Sequence, residues 1–328
     1  MDIQDLSEIS RDQYCEFLSG SDCSVYNRPD WIDRVCRSKK LSVKFFAVGD
    51  NTSPSACVIF YQSKFFPRLI YVSPAIGVFN YGSGVSYRIG LTSIERGMIG
   101  ESLIKYFSKK KYLIKRLILD EFEYDPSENA RSTYSNLALT SIVSCKRETL
   151  DEVHLSFKGR ARTANRKAIK NGVIVSQVSS SSENIEMYYN MYVETFRRRG
   201  VSSRHDLATF RALFCDNESL EVLVASVDGD IAGVGLFIRD SDRYLYVSGS
   251  SSVLGFKTEA QTAIIFKAIE MSFNYGLDFD LGGLGVESIN KFKYSFNGKV
   301  VARPVIESQS HFFDFIKKIY QFYMKWGS

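Results

Sequence analysis

The segment with the strongest chemical signal covers residues 275–299 and reads YGLDFDLGGLGVESINKFKYSFNGK. Asp278 and Asp280 alternate with apolar residues and the run stops at Gly282-Gly283, so the pattern predicts a strand that ends in an open turn. A short polar connection leads to Lys293, on a predicted helical turn. An ammonium beside the exposed backbone of a glycine-rich strand end is suited to a ligand that carries negative charge.

The turn that carries Lys293 has an aromatic residue on either side. Phe292 and Phe296 are four residues apart, so on a helical turn they point the same way and anchor it, while Lys293 projects from a different side. One interpretation is a surface lysine whose aromatic neighbours fill the core. The Gly282-Gly283 pair favours the other interpretation, in which Lys293 acts on negative charge.

A basic helix is predicted over residues 159–172, where Asn171-Gly172 supplies a fitting end. Arg162, Arg166 and Lys170 recur at four-residue intervals on one face of it, whereas Ala161, Ala164 and Ala168 offer a small, close-packing face. Like charges at this spacing repel by about 0.2–0.5 kcal/mol per pair in an isolated helix. A bound phosphate would relieve that repulsion, and the guanidinium fork suits a phosphate well. A solvated face with no ligand is the alternative.

Two tyrosines occupy one face of another predicted strand. Tyr244 and Tyr246 alternate next to Ser248 and Gly249, so they point to the same side of the sheet. They are suited to lining a groove for a substrate. Ordinary packing within the sheet is the alternative interpretation.

The sequence does not identify a general base. His154, His205 and His311 are far apart along the chain, and each is as well explained by a structural or surface role. Glu194 and Asp280 are the other candidates, although Asp280 has a competing explanation as a cap for the following turn.

Composition sets limits on the class of protein. The chain has 328 residues, 45% of them hydrophobic, which is enough for the cores of two ordinary domains. A net charge of +5 suits an anionic substrate or membrane surface but is too small for a dedicated nucleic-acid binder. The six cysteines are scattered without a C-x-x-C pair, so neither a metal site nor a disulfide framework is expected. No secretory signal or membrane span is predicted.

Two predicted β-hairpins have the same surroundings, and this is the main clue to the architecture. The first joins residues 43–48 to 56–61, and the second joins 220–227 to 231–238 through Asp228-Gly229-Asp230. Each follows a helix and precedes a further strand, a helix and a strand, which suggests a duplicated unit. The predicted fold is α/β (α+β), with two tandem domains that each have a mixed, mostly antiparallel sheet flanked by helices. The predicted domains are 1–150 and 151–308, followed by an amphipathic C-terminal helix at 309–328. Its aromatic and lysine residues at 310–326 either dock on the second domain or contact an anionic membrane surface.

Four motifs together resemble the Fem-like branch of the GNAT acyltransferase superfamily, which includes enzymes that use aminoacyl-tRNA to build peptidoglycan cross-bridges. The resemblance is firmest over residues 150–303 and looser in the first half. The motifs are Arg162-x-x-Asn165-Arg166-Lys167-Ala168, Tyr192-x-x-Thr195-Phe196-x-Arg198-x-Gly200, Asp280-x-Gly282-Gly283 and Phe292-Lys293-x-x-Phe296.

The resemblance implies two GNAT-like domains in one chain and a role for Lys293 and for two arginines of the basic helix. Lys293 would stabilise the negative charge that develops on an acyl carbonyl, and Arg162 and Arg166 would bind substrate phosphate. The remaining residues expected to contact the substrate are Tyr244, Tyr246, Asp280, Gly282, Gly283 and Phe292.

The acyl donor is left undecided between aminoacyl-tRNA and acyl-CoA, with no permanently bound cofactor. Residues 248–259 lack the glycine spacing with which GNAT enzymes hold the pyrophosphate of CoA. The chain also lacks the long helical insertion of some cross-bridge enzymes, which makes recognition of a whole tRNA less secure.

The leading hypothesis is an acyl or aminoacyl transferase that acts on an amine of a cell-envelope precursor, in polysaccharide or envelope biosynthesis. The precursor would be a nucleotide- or lipid-linked amino sugar or peptide that bears phosphate. The alternatives are a CoA-dependent small-molecule N-acetyltransferase and a noncatalytic module that binds RNA or anionic lipid. We expect a cytoplasmic protein, with a peripheral position on the inner face of the membrane as a further expectation.

Overall fold

The computed structural model describes residues 6–50, 52–64, 70–75, 79, 82–109, 114–119, 121–123, 136–147 and 149–309. The predicted C-terminal helix beyond residue 309 lies outside the described residues, so its docking partner stays a prediction. No helix in the described part of the chain is long and apolar enough to cross a membrane.

The described residues form ten α-helices and fifteen strands, among them the helices and strands of the two predicted hairpin regions. The helices of the described residues are α1 (Arg11–Leu18), α2 (Pro29–Lys39), α3 (Ser93–Lys109), α4 (Leu150–Ser156), α5 (Gly159–Lys170), α6 (Ser182–Arg198), α7 (Leu207–Phe214), α8 (Val253–Thr258), α9 (Ala260–Asn274) and α10 (Glu287–Lys293). The strands are β1 (Leu6–Ile9), β2 (Ser21–Asp22), β3 (Leu41–Val48), β4 (Ala56–Ser63), β5 (Ile70–Ser73), β6 (Val85–Arg88), β7 (Ile114–Ile118), β8 (Phe122–Glu123), β9 (Asn136–Val143), β10 (Ile174–Val178), β11 (Leu220–Val227), β12 (Asp230–Arg239), β13 (Arg243–Ser251), β14 (Asp278–Leu284) and β15 (Lys299–Gln309).

The chain divides into two compact units. Unit 1 has the bounds Met1–Phe122, Pro126–Ala138 and Ala302–Ser328, and unit 2 has the bounds Glu123–Asp125 and Leu139–Val301. In the middle of the chain, unit 1 ends at Ala138 and unit 2 begins at Leu139. The predicted boundary near residue 150 divides the two halves of a proposed duplication, and it stays a prediction.

Unit 1 is built on a mixed sheet. Its strands run in the order β1-β3-β4-β5-β7, with the unit 1 part of β15 beside β7. The predicted first hairpin is confirmed as the antiparallel pair β3 and β4, and β5 with β7 is parallel. Helix α3 covers one face, where Ile99 and Leu103, one turn apart, join Phe46 and Phe60 in a buried core. The apolar side of the helix therefore packs on apolar strand residues that point to the same face of the sheet.

Unit 2 carries the second predicted hairpin. Its strands run in the order β9-β14-β13-β12-β11-β10, and every described pair is antiparallel except β13 with β14. Asp228 and Gly229 link β11 to β12, with φ of 51° and 88°. Positive φ at both central positions defines the type I′ turn, whose twist matches that of a hairpin. The Asp-Gly signal in the sequence therefore marks this turn correctly.

Helix α9 packs on the unit 2 sheet, and helix α5 packs on α9. In α9, Ala260, Ile264 and Ala268 recur every fourth residue and are fully buried. Helix α5 packs on α9, and its Ala161 and Ala168 are buried because small side chains allow a close approach. The predicted alanine face of the basic helix is confirmed.

The predicted fold class is confirmed by the repeated order of elements. In unit 1, α2 precedes β3 and β4, and α3 leads into β7. In unit 2, α6 and α7 precede the strands β11 to β13, and α9 leads into β14. Both units are therefore mixed α/β arrangements in which a mostly antiparallel sheet is flanked by helices.

Candidate active site at the end of a parallel strand pair

The parallel pairing of β13 and β14 stops partway along both strands. It runs from Arg243 opposite Asp278 to Leu245 opposite Asp280. On its other side β14 pairs with β9, from Phe279 opposite Val143 to Leu284 opposite Leu139. Strand β13 continues to Ser251, paired only with β12 in the described part of the chain. The two strands therefore separate after Leu245 and Asp280.

A tight turn of β14 lies where the pairing stops. The register with β9 shifts between Asp280 and Gly283, and Gly282 has φ of +73°. A Cβ atom on Gly282 would lie 2.8 Å from the carbonyl oxygen of Tyr246. Glycine is required here both by the left-handed backbone and by the close approach of β13.

The turn is held by a buried carboxylate. The backbone N–H of Gly282 donates to Oδ1 of Asp280 at 2.7 Å, and the hydroxyl of Thr140 donates to the same oxygen. Arg243 Nη1 lies 3.8 Å from Oδ2 of Asp280. The side chain of Asp280 is only 2% exposed, so these contacts replace its hydration.

Lys293 reaches this turn from the end of α10. Phe292 and Phe296 contact each other with ring centroids 5.3 Å apart, and Phe296 is fully buried against Phe157 and Phe266. The predicted aromatic anchor is therefore present. Lys293 itself is 6% exposed, which excludes the interpretation as a surface lysine.

The ammonium of Lys293 lies among backbone and aromatic groups. Its Nζ donates to the carbonyl oxygen of Gly283 at 2.7 Å and lies 5.8 Å from the ring centroid of Tyr246. Burial lowers the pKa of Lys293 from 10.5 to about 8, although the nearby Asp280 carboxylate acts to raise it. The group is therefore still mostly protonated at pH 7, with little water around it.

Tyr246 is fixed beside Lys293 by a second polar chain. Gln261 Nε2 donates to Tyr246 Oη at 3.1 Å, and Gln261 Oε1 accepts from Ser251 Oγ at 3.3 Å. A Cβ on Gly249 would lie 2.2 Å from Tyr246 Oη, so this glycine leaves space for the ring. The side chain of Tyr246 thus lies at the point where β13 separates from β14.

Tyr244 lies deeper in the sheet than Tyr246. It is fully buried, stacks on Phe237 with centroids 5.4 Å apart, and donates from Oη to Glu221 Oε2 at 2.7 Å. Burial first and the Glu221 carboxylate second raise the pKa of Tyr244. The structure brings Tyr246, but not Tyr244, to Lys293, and the predicted contact of either with substrate stays a prediction.

The predicted phosphate-binding arginines lie on α5. The N–H of Lys158, the residue that caps α5, donates at 2.9 Å to the carbonyl of Ser295, in the turn after Lys293. Arg162 is half-buried, whereas Arg166 is exposed and donates to Thr163 Oγ1 at 3.2 Å. The helix therefore begins beside the Lys293 turn, with Arg162 one turn in, and phosphate binding by both arginines stays a prediction.

Of the candidate bases, Asp280 lies at the Lys293 turn, and the others in the described residues make different contacts. His154 packs between Phe157 and Phe266, and burial lowers its pKa. Glu194 pairs with Arg197 at 2.6 Å on the exposed side of α6. His205 packs against aromatic rings of α6 and α7, and His311 lies outside the described residues.

Three residues near the site were not predicted from the sequence. Thr140 and Gln261 hold Asp280 and Tyr246, and neither belongs to a motif. Arg198 was part of the family resemblance but had no assigned role. Its guanidinium donates to the carbonyl of Ser251, at the end of β13, and stacks 5.1 Å from the ring of Phe256.

Comparison with known proteins gives a family for the second half of the chain. Residues 156–294, which include Lys293 and lie in unit 2, match the sequence model of the acetyltransferase (GNAT) domain. No curated protein matches the chain by sequence. The predicted GNAT resemblance is confirmed for this region.

Solved structures extend the likeness to almost the whole chain. FemX is similar with a TM-score of 0.64 and 12% identity, covering 91% of this chain and 96% of that one. A tandem GNAT protein from the clavulanic acid biosynthesis pathway has a TM-score of 0.51 and 8% identity, covering 93% and 99%. The C-terminal domain of a putative lysylphosphatidylglycerol synthetase from Agrobacterium fabrum has a TM-score of 0.50 and 11% identity, covering 86% and 87%. At these identities the likeness concerns the fold, which is similar to that of tandem GNAT proteins.

Proposed function

We propose that this chain, a GNAT-type acyltransferase by its domain at residues 156–294, transfers an acyl or aminoacyl group to an amine of a cell-envelope precursor. The observation that carries the proposal is the buried ammonium of Lys293, 2.7 Å from the carbonyl of Gly283, where the pairing of β13 and β14 stops. The donor would be an activated ester or thioester, either aminoacyl-tRNA or acyl-CoA.

The proposed reaction places negative charge on one atom. The amine nitrogen forms a bond to the acyl carbon, and the carbonyl oxygen becomes an oxyanion. The bond to the leaving oxygen or sulfur then breaks, and that atom takes up a proton while the new amide loses one. A preplaced cation at the oxyanion lowers the barrier by several kcal/mol, because little water competes in a buried site.

Lys293 suits this role because one N–H group of its ammonium already donates a hydrogen bond to the protein. The bond to Gly283 fixes the direction of the ammonium, and no other hydrogen bond of Lys293 falls within the described residues. The remaining N–H groups of an ammonium can therefore point to a developing oxyanion. Tyr246, whose ring lies 5.8 Å away, would form the wall beside it.

The separation of β13 from β14 supports an extended donor. Their parallel pairing ends at Leu245 opposite Asp280, and Lys293 contacts Gly283 just beyond that point. The acyl group of the donor would lie where the two strands separate, within reach of the ammonium. The aminoacyl and CoA donors both stay candidates.

The substrate that accepts the acyl group is proposed from the positive charge of α5 and from the name of one similar protein. Arg162 and Arg166 would hold phosphate on a nucleotide- or lipid-linked amino sugar or peptide. The name of the Agrobacterium fabrum protein states a lysyl group joined to phosphatidylglycerol, which supports an aminoacyl donor and an envelope acceptor. Contact of residues 310–326 with an anionic inner membrane surface, in a cytoplasmic protein, belongs to the same proposal.

A small-molecule N-acetyltransferase is the second candidate, because the matching family is described as an acetyltransferase domain. One assay separates the two. Purified protein is incubated with either charged bacterial tRNA or acetyl-CoA, together with a mixture of nucleotide-linked amino sugars and peptides, and products are identified by mass spectrometry. An aminoacylated precursor supports the first candidate, and an acetylated small amine without any aminoacyl product supports the second.

Lys293→Ala tests the assigned residue in the same assay. We expect a loss on the order of 10²–10³-fold in kcat. The matched control is Lys291→Ala on the same helix, because Lys291 is exposed and pairs with Glu287 at 2.7 Å. Equal activity of the Lys293 and Lys291 variants would contradict the catalytic assignment.

A further inference from the structure

The side chain of Asp280 is enclosed by other protein groups. Its side chain is 2% exposed, and Oδ1 accepts hydrogen bonds from the Thr140 hydroxyl and the Gly282 N–H. Its other oxygen lies 3.8 Å from Arg243 Nη1. A carboxylate so enclosed acts on a reaction through its neighbours.

The neighbour that matters is Lys293. The hydrogen bond from Gly282 to Asp280 closes the turn in which Gly282 has φ of +73°. The next residue, Gly283, presents the carbonyl that accepts from Lys293 Nζ at 2.7 Å. Rotation of the carboxylate would release the turn and with it the acceptor that directs the ammonium.

Charge couples the two groups as well. Burial is the larger influence on the pKa of Lys293 and lowers it, while the Asp280 carboxylate opposes this effect. Without that carboxylate, a larger fraction of Lys293 would be neutral at a given pH, and a neutral amine stabilises an oxyanion less well.

We propose that Asp280 is a positioning residue for Lys293, whose carboxylate fixes the Gly282-Gly283 turn and supplies the negative charge that favours the ammonium form. This inference rests on the proposed function, because it assigns Asp280 an action through Lys293 in place of direct contact with substrate.

The titratable surroundings of Lys293 are few in the part of the chain that the structure describes. Asp280 faces it from β14 and Tyr246 from β13, with Arg243 on the far side of Asp280. Its own helix and the following turn contribute Glu287, Lys291 and Tyr294, of which the first two pair with each other.

Direct titration of Lys293 tests the coupling without any substrate. The full chain is prepared with ¹³Cε-labelled lysine, the Lys293 signal is assigned by its loss in Lys293→Met, and its pKa is read by NMR. We expect Asp280→Asn to lower this pKa relative to the parent chain. An unchanged or raised pKa in that variant would overturn the proposal.

The matched control comes from the same strand. Asp278 accepts from the N–H of Cys145 at 3.1 Å and lies 3.6 Å from Lys146 Nζ, so it belongs to a different contact. Asp278→Asn should leave the Lys293 pKa unchanged. An equal shift in both variants would mean a general loosening of β14 and would also contradict the proposal.

A second variant covers the case in which Asp280→Asn does not fold. Arg243 shares the charge of Asp280 and is 18% exposed, so Arg243→Met disturbs the core less. Removal of this competing cation should raise the pKa of Lys293. No change in Arg243→Met would count against the coupling.

Kinetics complete the test. With a donor that the parent chain turns over, Asp280→Asn should lower kcat by roughly 10²-fold through misplacement of the ammonium, with KM unchanged. A raised KM at unchanged kcat would indicate contact with substrate instead. If the parent chain turns over no donor, the proposed function fails, and the NMR titration alone decides whether Asp280 positions Lys293.

Discussion

The Nζ atom of Lys293 lies 2.7 Å from the carbonyl oxygen of Gly283, a residue that follows a turn with positive φ. The two groups come from different elements, the end of α10 and the end of β14. A backbone carbonyl directs the ammonium but does not neutralise it. Lys293 therefore keeps a charge in a site where desolvation disfavours charge.

The pH dependence of activity should report this environment. The pKa of Lys293 is lowered to about 8, and the protonated form is the one proposed to act. We expect kcat/KM to fall with a slope of one proton as the pH rises through that value. In Lys293→Arg the guanidinium stays protonated, so the alkaline decline should disappear while the maximal rate is lower. An alkaline decline at the same pH in Lys293→Arg would assign the titration to another group.

Lys293 should also reduce the stability of unit 2. Its pKa is lower in the folded chain than the ordinary 10.5, so burial of the charge is unfavourable at every pH below about 8, and the penalty disappears as pH rises from about 8 to 10.5. We expect Lys293→Met to raise the free energy of unfolding at pH 7 by about 1–2 kcal/mol. Urea denaturation at pH 7 and pH 10 checks this. A lower stability of the variant at pH 7 would contradict it.

Gly282 should tolerate no side chain. Its φ is +73° and a Cβ would lie 2.8 Å from a backbone oxygen of Tyr246, so Gly282→Ala should lower the free energy of unfolding by about 1–3 kcal/mol. Gly285→Ala is the control, because its Cβ would meet nothing within 4 Å and its φ is not positive. Thermal unfolding of both variants provides the measurement. Equal melting temperatures would show that the turn relaxes without penalty.

Substitution of the two tyrosines of β13 should have different effects, one on stability and the other on activity. Tyr244→Phe removes a donor to the buried Glu221 carboxylate, so we expect a loss of about 1–3 kcal/mol in stability and unchanged kinetics. Tyr246→Phe removes the hydroxyl that Gln261 contacts beside Lys293. We expect it to raise KM for the acceptor about fivefold, which corresponds to roughly 1 kcal/mol. A kinetic defect in Tyr244→Phe alone would reverse this assignment.

The sequence predicts the parts of this protein that depend on neighbouring residues. The Asp228-Gly229 hairpin and the alanine face of α5 follow from local rules and are confirmed. Gly282, Gly283 and Lys293 were grouped correctly because a few residues connect them and Phe292 with Phe296 fixes the direction of the turn.

The remaining parts depend on strand register between distant segments. Thr140 and Asp280 share a hydrogen bond although they are 140 residues apart in the sequence. No local pattern identifies Thr140 as the partner of Asp280. Tyr244 and Tyr246 have the same alternation in the sequence, yet the pairing with β14 ends between them, at Leu245. The sequence of one strand does not show where its pairing with a neighbouring strand ends. The sequence pattern therefore predicts the same role for both tyrosines.

Strand β9 has a consequence for how this protein can be divided. The matched family region, 156–294, begins after β9, although β9 pairs with β14 along its far side and provides Thr140 to Asp280. A chain trimmed to the matched region would expose a bare strand edge, and such edges recruit other chains into aggregates. The smallest autonomous fragment that preserves the chemistry must therefore start upstream of the homologous segment, and its boundary is set by hydrogen-bonded neighbours in space.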